Sequence, residues 1–124
     1  SKYMDMSWLT PQKKTDYRAA WRDLEGVKGM VNWYRATPLL VAKPGQPIPT
    51  DKLPQWDPKT LRIRMPHLLL WGLGDTALKP ETRDALINYC EDLTIVERED
   101  ADHWIIHQHP KWVSMQIMAF LSRP

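Results

Sequence analysis

Three of the chain's four histidines crowd into "DADHWIIHQHP", residues 100 to 110. An imidazole titrates near neutral pH, so each is a candidate proton acceptor, donor or metal ligand. His103 lies in an acidic loop of small residues. His107 and His109 follow an apolar pair and precede Pro110, a residue suited to the first position of a helix. As metal ligands the three would form H-x3-H-x-H, which lacks a fourth donor and a diagnostic spacing, so no metal is expected. His107 reads as packing, His109 as a surface or helix-start residue, and His67, inside an apolar run, as a core histidine. Cys90 has no cationic neighbour on its helix face to activate it and reads as a small buried hydrophobe.

A base needs a partner that fixes its tautomer, and the elements around His103 supply one. "MPHLLLWG", between Pro66 and Gly72, is a continuous apolar run suited to a parallel strand covered on both faces. The loop "GLGDTALKP" follows, and Pro80-Glu81 opens a helix with Thr82, Leu86, Tyr89 and Cys90 on one side. "LTIVER" is the next strand and "EDADHW" the next loop. A last helix from Pro110 should bury Val113, Ile117, Phe120 and Leu121. The order strand, loop, helix, strand, loop, helix predicts an α/β arrangement with neighbouring parallel strands and a right-handed crossover. Ligands of such sheets gather beyond the carboxyl ends of the strands. Asp75 and His103 then stand side by side, the carboxylate orienting the imidazole and stabilising its protonated form. Taken alone, Asp75 after Gly74 could equally be a turn residue.

The first part of the chain is built differently. Residues 1 to 64 carry twelve Lys or Arg against six Asp or Glu, whereas 65 to 124 carry five against nine. Thr10-Pro11 starts a helix, with Tyr17, Ala20, Trp21 and Leu24 on a buried face and Gly26 at its end. A second short helix spans Met30 to Ala36. Six of the eleven prolines then fall between Pro38 and Pro58, which excludes continuous helix there. The natural divisions are 1–37, 38–64 and 65–124.

Composition limits the functional classes. With 43% hydrophobic and 26% charged residues the chain reads as globular, and a net charge of +2 gives no argument for nucleic acid. No apolar run approaches the roughly 20 residues that a membrane helix needs. The single cysteine precludes an internal disulfide and suits a reducing, cytoplasmic setting.

"MPHLLLWGLGDTAL" followed by "DADHWIIHQHPKWVSMQIMAFL" resembles the C-terminal end of α/β-hydrolase enzymes, and "GMVNWYRATP" resembles the end of the helical lid of epoxide hydrolases. The resemblance implies an α/β fold: residues 1–37 as the end of the lid, 38–64 as the connection and 65–124 as the last two strand–helix units. It implies catalytic roles for Asp75 as triad acid, His103 as base and Tyr34 as a lid phenol hydrogen-bonding the epoxide oxygen. Trp33 and Trp104 are expected beside a small apolar epoxide or related substrate, and no cofactor is implied. In such enzymes an aspartate opens the ring to an ester, and the histidine activates the water that hydrolyses it. Neither G-x-S-x-G nor an aspartate counterpart occurs in these residues. The chain alone is therefore expected to be inactive and to pair with a missing N-terminal part or a second copy. A haloalkane or haloacid dehalogenase, a serine esterase of the same fold, and a noncatalytic interaction fragment remain open.

Overall fold

The computed structural model describes residues 4–38 and 40–123; residues 1–3, 39 and 124 of the expected segments lie outside them. The chain divides into two compact units. One is Leu9–Trp56, and the other joins Ser1–Trp8 to Asp57–Pro124.

In the first unit, helix α1 spans Pro11–Ala20 and begins as its residues predict. The Thr10 hydroxyl accepts the Lys13 N–H and Pro11 occupies the first turn. It ends before Gly26. Asp23 starts a new helix, α2, at Leu24–Ala36, by accepting the N–H groups of Glu25 and Gly26. A carboxylate that satisfies two orphan donors sets a helix start more firmly than one glycine sets a stop. The expected buried face of α1 is not found: Trp21 is 54% and Leu24 64% exposed. None of the described residues of α1 or α2 is buried, as expected of a unit too short to enclose a core of its own. The proline-rich stretch holds the antiparallel bridge Lys43–Gln46, with Gly45 at φ 72° and the Gln46 N–H donating to the Lys43 carbonyl. Proline followed by glycine is the residue pattern of a type II turn.

The second unit holds the expected strands. β1, His67–Gly72, pairs in parallel with β2, Leu93–Arg98, in a register from His67–Leu93 to Gly72–Arg98. Its burial is lighter than a strand covered on both faces would have, since only Trp71 and Gly72 are buried and His67 is half-buried. The helix opened by Pro80 is short. α3, Glu81–Asp84, passes at once into a 3-10 turn at Ala85–Asn88. Arg83 ties this segment to the sheet, lying over the Trp71 ring at 5.3 Å and pairing with Glu97, the register partner of Trp71. Cys90 is buried as expected.

After β2 come α4, Ile105–Gln108, and α5, Pro110–Leu121. Ala101, Ile105 and Val113 form the core cluster, with Leu70 and Trp112 packed against it. Of the face expected on α5 only Val113 is buried, while Ile117 is 42% and Leu121 71% exposed. A sheet of two strands is too narrow to cover a helix of that length. Among the described residues no helix is long and apolar enough to cross a membrane.

Candidate active site

The carboxyl ends of β1 and β2 bring two loops together. The Gly74 N–H donates to the Ala101 carbonyl at 2.9 Å, and the Leu73 N–H to the Arg98 carbonyl at 2.9 Å. Gly72 makes this approach possible. A Cβ there would lie 2.5 Å from the Asp102 carbonyl oxygen and 2.7 Å from that of Ala101. In the sequence this glycine marks only the end of an apolar run, with no local sign of the close approach.

Across that seam the His103 Nδ1 lies 3.0 Å from Asp75 Oδ2. The other Asp75 oxygen accepts the N–H groups of Ala77 at 2.8 Å and Leu78 at 2.9 Å. The Asp75 side chain is 8% exposed and that of His103 40%. Burial opposes ionisation of Asp75, but the Leu78 N–H, the His103 ring and the Ala77 N–H together outweigh it. Its pKa therefore falls below the ordinary carboxylate value. An ionised Asp75 accepts, so Nδ1 carries the ring proton and the Nε2 lone pair is left to take one. The turn role of Asp75 and its partnership with His103 coexist, one oxygen serving each.

The aromatic surroundings include Trp8, far from the site in sequence and without a local signal of its place there. Trp8, 9% exposed, stacks on His107 with centroids 4.0 Å apart and lies 5.1 Å from Trp104. Trp104 in turn meets the His103 ring edge-on at 5.7 Å. The Trp104 indole N–H is buried without a hydrogen-bond partner among the described residues. His107 thus packs, as expected. His109 is half-buried at the N-cap position of α5, the helix-start place expected of it, and its Nε2 lies 2.9 Å from the Asp100 carbonyl. Among the described residues no three His, Cys, Asp or Glu side chains converge as metal ligands would. Trp33 and Tyr34 lie on α2 of the other unit and are 77% and 76% exposed. Beside them Arg35 donates to the Asn32 side-chain oxygen at 3.0 Å.

No family model matches the chain. It is 25% identical, over 92% of its length, to the AB hydrolase superfamily protein YfhM of Bacillus subtilis, of which it covers 35%. Over 51% of its length it is 33% identical to Epoxide hydrolase 1 of Caenorhabditis elegans, covering 16% of that protein. Among solved structures it is similar to a mutant of an epoxide hydrolase from Bacillus megaterium, with a TM-score of 0.69 and 20% identity. That match covers 94% of this chain and 39% of the other. The chain thus spans about a third of the length of YfhM and less of the other curated relative. The parallel strands, the Asp75 and His103 loops at their carboxyl ends and these likenesses agree on the fold: the chain has the architecture of a portion of an α/β-hydrolase and is similar to epoxide hydrolases of that fold.

Proposed function

We propose that the protein carrying this chain hydrolyses small apolar epoxides to diols, with His103 as the general base. The supporting observation is the His103 Nδ1–Asp75 Oδ2 contact of 3.0 Å, in which the Asp75 side chain is 8% exposed and that of His103 40%. The names of the relatives favour epoxide over other hydrolase substrates.

In the proposed sequence an aspartate supplied outside these 124 residues attacks an epoxide carbon. The C–O bond breaks, and the oxygen takes a proton from a phenol, the role that the resemblance gives to Tyr34. His103 Nε2 then removes a proton from water, and the hydroxide adds to the ester carbonyl. Collapse of that intermediate expels the diol oxygen, which takes the imidazolium proton. The proton left on the regenerated aspartate carboxyl returns the phenolate to phenol, while Asp75 stabilises the transient imidazolium. Removing the base should therefore stop the second half of the cycle alone. In His103→Gln a covalent adduct of protein and opened epoxide should accumulate, seen as a mass increase equal to the substrate. A variant that stays unmodified yet still releases diol would overturn the assignment.

A further inference from the structure

We propose that Asp102 is a positioning residue for His103, joining the segment Asp5–Trp8 to the histidine loop so that the alignment of the imidazole on Asp75 depends on both. The inference rests on reading His103 as the base. Asp102 is 8% exposed, and it is the residue directly before the histidine. One of its carboxylate oxygens accepts the Trp104 N–H at 2.8 Å, just past His103, and the other accepts the Asp5 N–H at 2.8 Å. Its own N–H donates to the Gln108 side-chain oxygen at 3.0 Å, and its carbonyl accepts the Ile105 N–H at 3.1 Å. The peptides on either side of His103 are thus fixed, leaving the ring's own torsions as its remaining freedom.

The contact with Asp5 bridges 97 residues of sequence, which a purely local loop brace would not need. The segment is itself ordered for it. The Asp5 carboxylate accepts the Ser7 N–H at 2.8 Å and the Ser7 hydroxyl at 2.9 Å, closing a turn that delivers Trp8 onto His107 and Trp104. The two N–H donors meet different oxygens of this buried carboxylate, whereas an amide would turn its NH2 group toward one of them.

The test reads the His103 Nδ1 proton directly, by NMR of the intact protein labelled with 15N at histidine, with Asp75→Ala as the reference for its loss. In Asp102→Ala the exchange of that proton with water should accelerate about tenfold or more, the scale of a lost hydrogen bond to a charged group. Asp102→Asn, which can satisfy one of the two donors, should fall between. Should Asp102→Ala fail to fold, Asp5→Pro deletes the bridging N–H and should accelerate exchange in the same direction. Unchanged exchange in a folded Asp102→Ala or Asp5→Pro, or no such proton in the unsubstituted protein, overturns the inference. Diol release measured alongside separates the readings. Its absence from every variant and from the unsubstituted protein would sink the epoxide assignment, while the exchange rates still decide the role of Asp102.

Discussion

If His103 is the base, as proposed, Asp75 at 3.0 Å from Nδ1 would hold one ring proton there and leave Nε2 to accept another. The carboxylate would then control the imidazole through its tautomer. In Asp75→Asn an amide N–H can face Nδ1 and favour the tautomer protonated at Nε2. Turnover of epoxide should drop by roughly 10^4, the scale of neutralising a triad acid in this way, with little change in KM. A variant retaining more than a tenth of the turnover would show that the tautomer is set elsewhere. The same carboxylate makes a pH-dependent contribution to stability. Because its folded pKa lies below the ordinary value, its contribution is complete above that value, about pH 4. It is lost as pH falls through the lowered folded pKa. Denaturant unfolding of Asp75→Asn should therefore show a deficit at pH 7 that narrows on acidification. A deficit independent of pH would mean that the charge contributes nothing.

At the scale of elements, the two strands, their parallel pairing and both site loops could be read from apolar runs bounded by Pro66, Gly72 and Pro110. Periodicity and turn chemistry are local signals, and these elements are local. What could not be read is long-range: Trp8 reaching His107, Asp5 reaching Asp102, and the backbone seam at Gly72. The helix boundary near Gly26 failed for a different reason, since the capping carboxylate of Asp23 outcompeted the expected glycine stop. Asp23→Ala should weaken α2 by about 1 kcal/mol, seen as lost helical circular dichroism and a lower midpoint of unfolding. An unchanged spectrum and midpoint would mean that α2 is held by contacts beyond its cap. Gly72→Ala tests the seam. Its Cβ meets backbone oxygens rather than movable side chains, so the two loops must separate, at a cost of about 1–3 kcal/mol. The His103–Asp75 pair should separate with them, lowering turnover beyond what lost stability explains. Full activity in Gly72→Ala would show that the loops tolerate a wider gap.

At the scale of the whole molecule, many large apolar side chains are exposed while few residues are buried. Trp33, Val41, Met65, Ile87, Met118 and Leu121 are among the exposed large side chains, and among the described residues no large side chain is fully buried. The sheet has two strands, so each pairs along one edge and presents backbone donors and acceptors along the other. Every large aliphatic side chain left in water forgoes about 1.5–3 kcal/mol of burial. A few of them therefore match the whole net stability of an ordinary domain, roughly 5–15 kcal/mol. Surface charge offers little restraint on association, because a net charge of +2 is small for 124 residues. Purified as a 124-residue polypeptide, the chain should therefore self-associate, bind an apolar dye such as ANS, and release no diol. Added polypeptide carrying the remainder of an α/β-hydrolase sheet should suppress both the association and the dye binding, because it covers the open edge and the apolar faces together. Sedimentation velocity across a hundredfold range of concentration decides the question. A compact monomer throughout that range, silent to ANS, would show that the two units already cover their own apolar surface.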